Sequence, residues 1–307
     1  MQRELLHFKR ALLIIPIAII GMFFLNAVRL VILVAIGHFY SSDLALNGFH
    51  SVGGWFNLLF VLIASLWTLN NFQWFLKGCA PTSPRVKGWG EIEFLYPLMF
   101  LIAASLLMKV FTVDFQWLYP IPIFAATYLI FYYRDKFNKI LVLFSGTSVG
   151  MGVLIFFLWI YLIPIDSTEN SIFFNHLQSA PLGISLIWLL LRIVGASIVV
   201  PIVEELAFRG YMLPRMELWA TPYILQCKGI KISLPQAKTL SLAASLVFTS
   251  FLFGVLHSNI LAGSIAGFGF GLAYLYRRKL IDAIVAHSVT NTLLGVYVIY
   301  SGNWAYW

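Results

Sequence analysis

The chain has 307 residues, of which 61% are hydrophobic and 10% charged, with a mean hydropathy of +0.88 and a net charge of +8. So much apolar surface excludes a soluble globule and predicts an all-α polytopic membrane protein. The positive charge does not imply a nucleic-acid partner, because its placement follows a membrane pattern.

In chain order, about nine transmembrane helices are expected, at 11–37, 55–70, 94–113, 117–133, 140–164, 183–213, 240–256, 261–276 and 281–300. The first run is too long for a signal peptide and lacks a small-residue cleavage site, so it reads as a retained span. Basic residues fall on alternate connections: Arg3, Lys9 and Arg10; Lys77, Arg85 and Lys87; Arg134, Lys136 and Lys139; Arg209, Arg215, Lys228, Lys231 and Lys238; Arg277, Arg278 and Lys279. The connections near 38–54, 114–116, 165–182, 257–260 and 301–307 carry neither Lys nor Arg. This positive-inside pattern predicts a cytoplasmic amino terminus and a lipid bilayer as the surroundings. Arg29, Lys109 and Arg192 lie inside apolar segments. Cys79 and Cys227 fall in Lys/Arg-bearing loops assigned to the cytoplasm, which argues against a disulfide. The Pro- and Gly-bearing loop 71–92 suggests a division into 1–92, 93–182 and 183–307. Residues 214–238 are expected along the cytoplasmic surface. Gly263, Gly267 and Gly271 repeat at four-residue spacing, which predicts close helix packing.

The stretch Pro201–Arg215, PIVEELAFRGYMLPR, carries the strongest chemical signal. Ionisable groups in an apolar helix are costly, and three together point to function. Glu205 and Arg209 are spaced i,i+4 and can pair, while Glu204 is turned roughly 100° away and left for chemistry. His257 stands in FGVLH, and His287 and Asn291 share a face in HSVTN. Hydrolysis needs a base for water and donors for the developing oxyanion. Glu204 can be the base, His257 can share the water, and His287 with Asn291 can supply donors. Counted at 1.5 Å per residue, Glu204 lies about 14 Å and Asn291 about 16 Å from the cytoplasmic boundary, but His257, counted from Leu240, about 25 Å. The three agree if residues 240–245 are still cytoplasmic or the helix is tilted. The cavity is expected to open toward the cytoplasm.

The ordered set EExxxR, FxxxH and HxxxN, at Glu204, Glu205, Arg209, Phe253, His257, His287 and Asn291, resembles the CPBP intramembrane proteases, which include the CAAX prenyl endopeptidases and bacteriocin-processing (Abi) proteins. The resemblance covers about 183–300 and implies a four-helix catalytic core. It implies Glu204 and His257 activating water, His287 and Asn291 stabilising the tetrahedral intermediate, and Glu205 and Arg209 in support. Its substrate would be a membrane protein or peptide, with no cofactor. Zinc held by the carboxylates and histidines is the mechanistic alternative, although no HExxH is present. A non-catalytic scaffold or immunity-type protein is a second alternative. A proton-relaying transporter is a third, which would show repeated halves; none is visible.

The first two segments carry a second resemblance. Asn26-Ala27-Val28-Arg29, Gly48-Phe49-His50-Ser51 and Gly53-Gly54-Trp55 resemble the last part of an exosortase, with Arg29 and His50 at the positions of its arginine and histidine. The expected upstream cysteine is absent, so this part does not supply a thiol nucleophile. The resemblance implies kinship with fused exosortase–protease chains, sorting-tag substrates or an exosortase partner, and a bacterial plasma membrane.

Overall fold

The structure is a computed structural model and describes residues 7–40, 42, 45, 51–72, 74, 92–111, 115–137, 143–163, 167–225 and 233–306. His50, Cys79, Cys227 and most of the loop 71–92 lie outside the described residues. The described residues form helices and no strand. Inside a bilayer this is the expected solution, since a helix satisfies its own backbone polar groups.

Contacts divide the chain into two compact units, Met1–Lys87 with Met99–Pro122, and Gly88–Leu98 with Ile123–Trp307. In the first, α1 (Ile14–Phe39) packs against α2 (Ser51–Asn71). Arg29 of α1 lies against Gly53 and Gly54 of α2, and its Nη1 donates to Asn26 Oδ1 at 3.2 Å. The run Lys9–Phe39 has the highest mean hydropathy of the apolar helices, 2.5, and none of its most apolar window is buried. It therefore presents apolar side chains all round, as a lipid-facing span does. Helix α3 (Tyr96–Phe111) falls largely in the first unit and α4 (Pro120–Tyr132) largely in the second.

The second unit holds α5 (Gly146–Leu162), α6 (Ser167–Ser179) and α7 (Leu182–Val194). From α7 the chain runs on without a break through a wide π turn at Gly195–Val199, α8 (Val200–Glu205), a second π stretch at Leu206–Met212, and α9 (Leu213–Leu225). Then come α10 (Leu234–Val255), α11 (Ile260–Arg277) and α12 (Leu280–Ser301). Among the described residues, six helical runs are long and apolar enough to cross a membrane: Lys9–Phe39, Ile92–Lys109, Leu182–Pro222, Leu234–Val255, Ile260–Arg277 and Leu280–Ser301. Three shorter apolar helices, Gly53–Leu69, Pro120–Tyr132 and Gly146–Leu162, stand where the second, fourth and fifth spans are expected. The chain is an integral multi-pass membrane protein.

Several boundaries differ from expectation for readable reasons. α10 starts at Leu234 rather than 240, because Ser233 and Gln236 form a capping box: the Ser233 N–H donates to Gln236 Oε1 at 3.0 Å. The cap lies in a polar stretch, so hydropathy misses the helix's first turn and a half. The outer connection 165–182 contains α6, whose Phe173 stacks on Trp304 at 5.6 Å. Within 214–238, residues up to Leu225 continue the long helical run and pack on α10, where Ser241 Oγ donates to the Glu217 carbonyl at 2.6 Å. Glu217 also pairs with Arg278 at 3.3 Å. These contacts bring the basic ends of α9, α10 and α11 to one level near Ser241. The first turns of α10 therefore extend beyond that level, and His257, 16 residues past Ser241, still counts about 24 Å from it.

α10 and α11 pack as a tight hairpin. A Cβ on Gly263 would stand 2.9 Å from Gly254 Cα, and one on Gly267 would stand 3.1 Å from the Phe253 side chain. Small residues at these positions let the two backbones approach closely, as the spacing predicted. α5 also joins the bundle: Thr290 Oγ1 donates to the Gly152 carbonyl at 2.8 Å, and no Cβ would fit at Gly152 against the Ala286 carbonyl. The core is thus five helical runs, one more than the four expected.

Candidate active site

The six expected site residues lie on α8, the π stretch that follows it, the turn after α10, and α12. Glu205 and Arg209 pair at 3.0 Å, as their spacing predicts. Both are sealed from outside, at 0% and 1% exposure. Burying a charge requires partners for every polar atom. Arg209 finds them in Glu205, in the Gly267 carbonyl to which Nη2 donates, and in the face of Phe253, 5.0 Å from the guanidinium carbon.

Glu205 has a second partner that spacing does not reveal. His287 Nδ1 stands 3.1 Å from Glu205 Oε1. A carboxylate only accepts, so Nδ1 carries the proton and Nε2 points the other way. Nε2 stands 4.0 Å from Glu204 Oε2. That is too long for a direct hydrogen bond, but an oxygen at about 2.8 Å from each atom would subtend roughly 90°. Glu204 Oε2 is buried without a hydrogen-bond partner. The ring of His287 is fixed by Phe270, stacked at 4.4 Å and 13°, and by the edge of Phe253 at 5.6 Å.

Asn291 Nδ2 donates to the Ala196 carbonyl at 2.8 Å. The backbone explains why that carbonyl is free. In the π turn the Val200 N–H bonds to Gly195. By the same register the Ala196 carbonyl would take the N–H of residue 201, which is proline and has none. The orphaned acceptor then anchors Asn291, whose second amide hydrogen stays available. π stretches on both sides of Glu204 fit their frequent occurrence at functional sites.

His257 is half-buried in the turn after α10. Its Nδ1 bonds the Phe253 carbonyl at 2.9 Å, and its ring stacks on Phe253 at 4.7 Å and lies 5.7 Å from Trp159. The structure thus links Glu205 directly to Arg209 and His287, brings Glu204 within 4.0 Å of His287, ties Asn291 to the Ala196 carbonyl eight residues before Glu204, and connects His257 to the rest through Phe253. Sequence reading paired Glu204 with His257; the imidazole within ion-pair reach of Glu204 is His287. Phe270 and Trp159 were missed, since a ring in an apolar helix carries no signal of its own. Among the described residues, no group of three or more His, Cys, Asp or Glu is disposed to hold a metal ion.

A family model described as type II CAAX prenyl endopeptidase Rce1-like matches residues 186–293, a stretch that holds all six residues. Residues 186–293 are thus similar to the CAAX proteases. No curated protein and no solved structure matches the chain. The similarity is, at family level, to a membrane-embedded peptidase. Its setting implies a lipid bilayer and a membrane protein as substrate.

Proposed function

We propose that the protein is an intramembrane glutamic-type endopeptidase that cleaves a membrane protein or peptide near the bilayer. The observation that carries this reading is the unpaired, buried Glu204 carboxylate facing the free Nε2 of His287 across 4.0 Å. Glu204 takes the proton of a water placed between them, and the hydroxide attacks the scissile carbonyl. The second amide hydrogen of Asn291 faces the developing oxyanion, and His287 donates to it from Nε2 when that nitrogen carries a proton. Glu205 positions His287 through Nδ1 while holding Arg209. His257, with Nε2 free, is placed to share the water or protonate the leaving amine. Membrane-bound precursors with carboxy-terminal sorting tags are one substrate class that fits.

The test is cleavage of a membrane peptide reporter in reconstituted vesicles. Glu204→Gln keeps size and hydrogen bonding but removes basicity, so the rate should fall roughly 10²–10⁴-fold with the fold intact. Cleavage at the wild-type rate ends the glutamic mechanism. If a zinc chelator abolishes cleavage and zinc restores it, the site is a metal site, with Glu204, His257 and His287 as ligands.

A further inference from the structure

A serine or threonine in an apolar helix has no water to bond, so its hydroxyl commonly turns back to the carbonyl four residues before. Thr249 on α10, Ser264 on α11 and Thr290, Thr292 and Ser301 on α12 all do so. Ser197 does not. It stands in the middle of the π turn Gly195–Val199, 6% exposed, and its Oγ is buried with no hydrogen-bond partner. The wide turn accounts for this. Its backbone bond, from the Val200 N–H to Gly195, spans one residue more than in an α-helix, so the carbonyl of a regular register is displaced. An unmade hydrogen bond of this kind is destabilising, and alanine would occupy the place without that penalty. Ser245 and Ser250 on α10 also carry buried hydroxyls without partners. What distinguishes Ser197 is its surroundings.

The π turn packs against α12, the helix that carries His287 and Asn291. The Ala196 carbonyl, one residue before Ser197, accepts from Asn291 Nδ2 at 2.8 Å. Ala196 and Asn291 are both half-buried, so the contact beside Ser197 is not sealed. Asn291 keeps a second amide hydrogen, and the Ser197 hydroxyl adds another donor one residue away from its anchor. Spacing says what such donors suit. Glu204 is seven residues beyond Ser197, about 10 Å along the run. Helical side chains lean toward the amino terminus, and the longer glutamate leans farther, which shortens the gap between the two polar groups. Carbonyls on one side of an extended peptide recur every two residues, about 6.8 Å. A peptide whose scissile carbonyl lies at Glu204 therefore brings a flanking carbonyl to Ser197.

We propose that Ser197 is a substrate-binding residue, whose hydroxyl donates to a backbone carbonyl of the substrate two residues along from the cleaved bond. This rests on the peptidase reading above. The ligand it takes is an extended peptide, held by its backbone rather than by a side chain. Ser197 has no part in the chemistry at Glu204 and His287. A donor that binds substrate and transition state equally lowers KM and leaves the rate of the chemical step unchanged. The unpaired hydroxyl of the free protein is the stability given up for that affinity.

The test compares Ser197→Ala with Ser245→Ala, which removes an equally unpartnered hydroxyl from α10. Three quantities are measured for each: the unfolding midpoint in detergent, binding of the membrane peptide reporter in a Glu204→Gln background, and cleavage kinetics with Glu204 intact. Both changes should leave the midpoint equal or higher, because each removes a buried donor that has no partner. Ser197→Ala should weaken reporter binding and raise KM by roughly three- to tenfold, with kcat little changed. Ser245→Ala should alter neither. Unchanged binding and KM in Ser197→Ala overturn the proposal and leave the peptidase reading standing. A midpoint that falls in Ser197→Ala but not in Ser245→Ala also overturns it, since the hydroxyl is then a structural member. If the wild-type protein binds the reporter but cleaves nothing, the peptidase reading falls, and the affinity lost in Ser197→Ala alone decides whether the peptide subsite stands. A reporter that binds neither protein overturns the subsite as well.

Discussion

Arg29 and Arg209 are both arginines in apolar helices, and both rest on glycines of a neighbouring helix. Gly53 and Gly54 of α2 seat Arg29; Gly267 and Gly271 of α11 seat Arg209. The hosts differ. The most apolar window of the helix bearing Arg29 has no buried residue, whereas 33% of that of the run Leu182–Pro222, which bears Arg209, is buried. Arg209 meets a carboxylate, a backbone carbonyl and an aromatic face at once, and its carboxylate partner holds an imidazole. The lesson is that a glycine seat admits an arginine to a helix pair but does not make a site. The site comes from the second demand on Glu205, which serves Arg209 on one side and His287 on the other.

The largest effect should come from removing the arginine of the sealed seat. Arg209→Ala leaves Glu205 as an uncompensated buried charge, at a cost of about 3–5 kcal/mol. It should also loosen His287, because the carboxylate that orients Nδ1 loses its anchor. Thermal unfolding in detergent and folded yield measure the first consequence, and reporter cleavage by the surviving fraction measures the second. An unfolding midpoint and yield equal to wild type would mean that Glu205 is held by something other than Arg209.

Much of this arrangement was legible in the residues. The i,i+4 spacing announced the Glu205–Arg209 pair, and the glycine repeat announced the α10–α11 contact. Both rest on local geometry that one helix fixes. The Glu205–His287 contact joins positions 82 residues apart, and no helical period reports it. The anchoring of Asn291 needs both a π register at Gly195–Val199 and a proline at 201. The proline was visible; the register arises only when the helix packs. The early start of α10 was written as a capping box, but hydropathy outweighed it. α5 read as featureless because its contribution, the contact of Gly152 with α12 and the Trp159 ring beside His257, is steric and has no charge to betray it.

A smaller effect should follow from filling the α10–α11 contact. In Gly263→Ala the added Cβ meets Gly254 Cα at 2.9 Å and His257 Cβ at 3.1 Å. Both are firmly placed atoms, so the hairpin must part. Overpacking of this kind costs about 1–3 kcal/mol. Because His257 is one of the displaced groups, cleavage should drop more than stability does. Equal, small losses in both would place His257 outside the chemistry.

The smallest effect should come from the same change in the other hairpin, and it separates the two seats most clearly. In Gly53→Ala the new Cβ meets Arg29 Nε at 3.1 Å and Cδ at 3.2 Å. These atoms end a long side chain that can swing by a few tenths of an ångström, not a backbone that must move. Gly53 is also the third residue of α2, where alanine favours the helix over glycine by up to about 1 kcal/mol. Crowding and propensity oppose each other, and the unfolding midpoint should shift by less than the equivalent of about 1 kcal/mol. Reporter cleavage should be unchanged, since no atom of the Glu204–His287 cluster belongs to this hairpin. A shift as large as that of Gly263→Ala would show that Arg29 is as tightly clamped as Arg209. The distinction between a seat and a site would then have to rest on Glu205 and His287 alone.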